Sequence, residues 1–142
     1  MAEKVLLVDD EQDFLDSLAE RMRARGMDVS TTTSAEEAIK KAETESYDAI
    51  VLDLMMPEMD GIEVLQAIKE KRPDVGIILL TGYATLDKGI EAMKMGAMDF
   101  VEKPADLKVL SEKIKEARAQ KMVLAEKRIQ EKVKRIIQGK SW

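Results

Sequence analysis

The chain has 142 residues, enough for one domain with its own core, and its 45% hydrophobic and 36% charged residues with few aromatics suit a water-soluble, helix-rich protein. Having neither Cys nor His, it excludes disulfides, thiolate metal sites, His ligation and His-based acid–base catalysis. Its net charge of −5 hides a division: residues 1–105 carry 12 Lys and Arg against 23 Asp and Glu, a net −11, whereas residues 106–142 carry 11 against 5, a net +6.

In chain order, Met1-Ala2-Glu3-Lys4 leads straight into the strand Val5–Val8 with no basic and apolar signal segment. No apolar run reaches the ~20 residues of a bilayer span. A cytoplasmic location without a membrane span is the expectation. Asp9-Asp10-Glu11 closes the first strand. The segment from Gln12 to Arg25 puts Phe14, Leu15, Leu18, Ala19 and Met22 on one helical face, and Gly26 is a helix stop. A short strand follows over 27–32, and Ser34-Ala35-Glu36-Glu37 has the capping-box pattern of a helix running to about Thr44.

The stretch from Tyr47 to Leu52 reads as a strand buried on both faces. It ends on Asp53, with Pro57 and Asp60-Gly61 as turn chemistry behind it. An Asp after an apolar run often does no more than begin a loop. Here a second acidic cluster, Asp9-Asp10, also ends a strand. If the two converge they repel unless a cation lies between them, and oxygen donors suit a hard divalent ion such as Mg2+.

Ile62, Val64, Leu65 and Ile68 predict a helix ending before Pro73. A fourth strand spans Val75 to Leu80 and ends in Thr81-Gly82. A weaker helix from Ala84 to Met95 contains Gly89 and stops at Gly96, and a short fifth strand, Asp99 to Glu102, precedes Lys103-Pro104. Five strand-then-helix units predict a doubly wound parallel α/β sheet with helices on both faces.

These motifs together resemble the receiver domain of two-component response regulators, from about Lys4 to about Lys115. They are Asp9-Asp10, Asp53 with Pro57 and Gly61, Thr81-Gly82, Gly96-Ala97 and Lys103-Pro104. The resemblance implies a five-stranded flavodoxin-like sheet of order 2-1-3-4-5 and a phosphoacceptor rather than a multiple-turnover enzyme. Asp53 would be the nucleophile that takes a phosphoryl group from a phosphohistidine on a sensor histidine kinase or phosphotransfer protein. Asp10, Asp53 and the Met55 backbone carbonyl would hold Mg2+, with Asp9 acting mainly through water. Lys103 and Thr81 would each meet a phosphoryl oxygen, and a cis bond to Pro104 would aim Lys103 inward. Met55 and Tyr83 occupy the positions flanking the phosphoryl group, where their bulk would hinder attacking water and prolong the phosphorylated state. Phe100 would turn inward when Thr81 moves. Taken singly, Thr81 could simply cap a turn, Lys103 could be a solvated cation and Phe100 could be a core side chain.

From Asp106 to about Gln138 there is no Pro or Gly, so the last helix is expected to run for roughly 33 residues and about 50 Å. Leu107, Leu110, Ile114, Ala117 and Leu124 recur at helical spacing, interrupted by Lys121, and Ile129, Val133 and Ile136 form a second series. The register is expected to slip between the two. This divides the chain into a receiver over 1–118 and a tail over 119–142 for homodimerisation or partner binding. A frayed solvated helix, or a basic surface for nucleic acid or an anionic membrane, is the other reading of the tail. Direct DNA binding is not expected, because no helix-turn-helix follows the receiver. The chain also resembles the receiver and linker of enhancer-binding transcription activators without their ATPase and DNA-binding parts. A phosphatase of small phosphoesters would need a proton donor that these motifs lack, and a degenerate scaffold would not need the full motif set.

Overall fold

In the computed structural model, which describes residues 2–57, 60–82 and 86–139, the ten elements alternate from strand to helix. They are β1 (Lys4–Val8), α1 (Gln12–Ala24), β2 (Asp28–Thr32), α2 (Ala35–Thr44), β3 (Ala49–Asp53), α3 (Gly61–Lys71), β4 (Gly76–Thr81), α4 (Leu86–Lys94), β5 (Asp99–Glu102) and α5 (Leu107–Gly139). The sheet is parallel throughout, in the order β2-β1-β3-β4-β5. This is the doubly wound parallel sheet that the alternating units predicted, in the flavodoxin-like order that the resemblance implied.

Side chains alternate along each strand, so the sheet builds two cores. Leu6 and Val8, Ile50 and Leu52, and Ile77 and Leu79 face α2, α3 and Ala92 of α4. Val5 and Leu7, Ala49 and Val51, and Ile78 and Leu80 face α1 and the first three turns of α5. Burial of each such Leu or Ile contributes about 1.5–3 kcal/mol.

Several boundaries differ from the periodicity by one or two residues. β3 begins at Ala49 rather than Tyr47 and includes Asp53, which stands in register with Leu80 of β4. α1 ends at Ala24, and Gly26 takes φ +88° just beyond it. Ser34 caps α2 by accepting the Glu37 N–H, but its own N–H goes to Thr32 Oγ1, the place a capping box would give to Glu37. Asp60 is the N-cap of α3, accepting the Ile62 N–H at 2.9 Å.

Gly61 has a steric reason to be Gly: a Cβ there would lie 2.7 Å from the Leu54 Cα, so a larger residue would push α3 away from the loop that follows Asp53. Gly89 does more than weaken α4. It is buried, and a Cβ on it would sit 3.3 Å from the Thr81 Cγ2, so its small size brings α4 close to the end of β4.

α5 runs for 33 residues, about 50 Å. Leu107, Leu110, Ile114 and Ala117 are buried, and contact with the body of the fold continues beyond them. Lys121 Nζ donates to Ser46 Oγ at 2.6 Å and to the Tyr47 carbonyl at 2.7 Å, and Arg128 pairs with Asp74 at 2.7 Å. Lys121 is therefore an anchor of this helix rather than an interruption of it. Among the described residues, no helix is long and apolar enough to cross a membrane.

Candidate functional site

The C-terminal ends of β1, β3 and β4 and the loop after β5 meet at one edge of the sheet. In an open α/β sheet this edge, next to the point where strand order reverses, is where ligands bind. β1 delivers Asp9, which is fully buried, and Asp10, which is exposed, while β3 delivers the buried Asp53. One carboxylate oxygen from each of the three lies within 4.8 Å of the others.

Backbone groups fix two of the acids. The Glu11 N–H donates to Asp9 Oδ1 at 2.9 Å, and the Met55 N–H to Asp53 Oδ1 at 3.1 Å. The remaining oxygens face Lys103, whose Nζ lies 2.7 Å from Asp9 Oδ2 and 3.4 Å from Asp53 Oδ2. The Lys103 N–H donates to the Thr81 carbonyl at 2.8 Å, which ties the loop to β4, and the Lys103–Pro104 bond is cis. Phe14 of α1 completes the surroundings, with the ammonium 4.6 Å from its ring centroid.

Burial pushes the Asp53 carboxyl up to about 6, and the neighbouring Asp9 charge adds to the rise, while the Met55 N–H and Lys103 pull against it. For Lys103, burial works to lower the pKa, but Asp9 and Asp53 outweigh it and hold the ammonium above its ordinary range. Two buried carboxylates thus share one ammonium, and the exposed Asp10 beside them adds a further negative charge. Oxygen-only donors and uncompensated charge fit a hard divalent cation such as Mg2+, which Asp9, Asp10 and Asp53 could hold.

Thr81 is buried at the end of β4, and its Oγ1 has no hydrogen-bond partner among the described residues. An unsatisfied buried hydroxyl costs about 1–3 kcal/mol, so it is either strained or reserved for a ligand. Met55 is 56% exposed and, with Asp10, Met56, Pro57, Asp60 and Lys88, lines a groove beside the acids. Phe100 is half-buried against the core shared with α3 and α4. Tyr83 lies outside the described residues.

The structure thus brings together Asp9, Asp10, Asp53 and Lys103, sets Thr81 on the adjoining strand, and leaves Phe100 behind the site on β5. Two contributors escaped the sequence reading. Helical spacing puts Phe14 on a core face, and no local signal marks the residue that Lys103 will stack on. By sequence Gly89 is only a weak helix residue, because its role depends on a neighbour in another element.

The family model described as "Response regulator receiver domain" matches residues 5–115. The acid tolerance regulatory protein ActR of Rhizobium meliloti is 41% identical over 102 residues, covering 72% of this chain and 53% of that protein. This chain therefore spans about half the length of the curated relatives it matches. The response regulator receiver domain protein from Clostridium thermocellum superposes with a TM-score of 0.82 at 34% identity, covering 87% of this chain and 99% of that one. The adenylate cyclase structure from Rhodopirellula baltica superposes with a TM-score of 0.85 at 28% identity, covering 93% and 98%.

Two stability measurements follow from this site. Asp53 has a folded-state pKa of about 6 against an ordinary 3.8. The unfolded chain therefore gives up this proton first, and the stability due to Asp53 falls as pH rises between these values and stays reduced above them. In chelator, Asp53→Asn should raise the thermal midpoint by a few degrees at pH 7 and by little at pH 4; an equal gain at both would contradict the assigned shift. Thr81→Val keeps the shape and removes the unpartnered hydroxyl. It should stabilise the metal-free protein by about 1 kcal/mol in urea unfolding, and a loss of stability would show that the hydroxyl has a partner.

Proposed function

The chain belongs to the response regulator receiver family, and from that premise we propose that it is a Mg2+-dependent phosphoacceptor that signals by changing its contacts with other proteins. The observation that carries this is the convergence of Asp9, Asp10 and Asp53 on one another at the carboxyl edge of β1 and β3, with Lys103 bridging Asp9 and Asp53.

In this reading an Asp53 carboxylate oxygen attacks the phosphorus of a phosphohistidine on a sensor kinase or phosphotransfer protein. The new P–O bond forms as the P–N bond breaks, and the His nitrogen leaves with its electron pair. The donor must lie elsewhere, because this chain has no His. Asp10, Asp53 and the Met55 carbonyl would hold Mg2+, with the Asp9 carboxylate beside them. When bound, the ion offsets the repulsion between an anionic nucleophile and an anionic phosphoryl group. Lys103 would turn from Asp9 and Asp53 to a phosphoryl oxygen as the charge moves outward. The unpartnered Thr81 hydroxyl supplies a further donor.

Thr81 also links the site to the output. Its movement toward the phosphoryl group would vacate space beside Gly89, and Phe100 would turn inward, a population shift of the kind that needs a few kcal/mol. Residues 1–118 act as the receiver, and 119–142 extend it as a pairing tail. The protein works in the cytoplasm as a carrier of one phosphoryl group rather than a multiple-turnover enzyme.

The test is phosphorylation with acetyl phosphate and Mg2+, read by intact mass. One phosphoryl adduct is expected on the parent and none on Asp53→Asn; full labelling of that variant would refute the site. Followed in time, Met55→Asn should shorten the life of the adduct by opening it to water, and an unchanged decay would remove Met55 from that role. Sedimentation with and without beryllium fluoride and Mg2+ tests the output. A change of mass places it in copy-to-copy assembly, whereas an unchanged mass would move it to the Phe100 face.

A further inference from the structure

Beyond Ala117, α5 carries two distinct faces. Leu107, Ile114, Lys121 and Arg128 stand seven residues apart, and this line stays on the body throughout. The first two are buried, and the last two bond to the 46–47 loop and to Asp74. Leu124 belongs to this side, lining a groove with Pro73, Asp74 and Arg128. The expected register slip between Leu124 and Ile129 is therefore no slip, because those two residues lie on different faces of one helix.

The other face is unbroken. Ala119, Met122, Glu126, Ile129, Val133 and Ile136 follow alternating spacings of three and four, the heptad seam of a helix that packs against another. All six are exposed, including Met122 at 57% and Ile129 at 63%. The Lys121 and Arg128 contacts fix the rotation of the helix, and this seam lies on its flank, roughly a quarter-turn from the anchored line.

We propose that the seam packs against the same seam of a second copy, with the two helices antiparallel. This rests on the reading that the last helix pairs copies, and it supplies the geometry of that pairing.

Two observations select the direction. A parallel pair would set Glu126 against its own counterpart in a seam layer, two like charges side by side in partly dry surroundings. An antiparallel pair instead layers Ala119 on Ile136, Met122 on Val133 and Glu126 on Ile129, which separates the two carboxylates. It also sets the smallest seam residue against a large one.

Charge agrees. Residues 119–142 carry seven Lys and Arg against two Glu, while residues 1–105 are net −11. Parallel helices would bring two basic ends together, whereas antiparallel helices run each basic end back to the acidic receiver of the other copy.

The chain has no Cys, so pairing can be read by engineered disulfides in the full-length protein, with and without Mg2+ and beryllium fluoride. Ala119→Cys and Ile136→Cys are exposed positions whose change leaves the core intact. They lie about 25 Å apart along the helix, too far for either to meet itself across an antiparallel pair. Under mild oxidation, the mixed variants should give a covalent dimer several-fold above either alone. Strong cross-linking of each variant by itself would overturn the antiparallel direction while leaving tail pairing in place. A sedimenting dimer that cross-links in no combination would overturn the seam and place pairing elsewhere. A monomer in every state would overturn both the seam and the pairing reading beneath it. Such a monomer co-sedimenting with phosphatidylserine vesicles would identify an anionic lipid surface as the occupant instead.

Discussion

Asp9 and Asp53 are drawn out of water within reach of each other, and Lys103, arriving from the far side of β4, is the cation that offsets them. Two buried carboxylates without a counter-charge would be costly enough to bind protons or force the strands apart. One ammonium offsets only part of that charge; burial first, and then the neighbouring Asp9 charge, keep Asp53 hard to ionise in the metal-free state. In the function proposed above, that deficit of positive charge would suit a site that takes a divalent ion and then a phosphoryl group. The same feature that lowers stability at neutral pH prepares the site for cations. The parallel sheet serves this arrangement, because β1 and β3 are adjacent only in an order that reverses between them.

From that centre the fold leads outward in two directions. The Thr81 hydroxyl is buried without a partner, and Gly89 lets α4 approach the Thr81 methyl group. A shift of Thr81 toward the acids would therefore be felt first at α4, and next at Phe100, which packs against the same core. The contacts are few and close, which is the condition for a local charge to bias a larger element.

The second direction runs through α5. Its first turns complete the core beneath β4, where Gly76 leaves room for Ala117, and its middle is tied to the opposite edge of the sheet by Lys121 and Arg128. Those polar anchors hold the helix axis and its rotation, so the seam that runs alongside them faces a defined direction. A helix tethered only by its first three turns would leave that seam free to fray.

Local pattern was enough to determine much of this protein. The apolar runs gave every strand to within two residues, the three- and four-residue spacings gave the buried faces of α1, α3 and α5, and the acidic strand ends marked Asp9, Asp10 and Asp53. These signals are local, because side-chain periodicity and turn chemistry act between near neighbours in the chain. The tertiary structure alone decided what each of these residues meets. Lys103 finds Asp53 across 50 positions and Lys121 finds the Tyr47 carbonyl across 74. Gly61 and Gly89 are small because of atoms in other elements, and which face of α5 meets the body is set by Lys121 and Arg128 finding partners there. Such partners are set by the way the strands stack and the helices close over them, and spacing along the chain carries no trace of that.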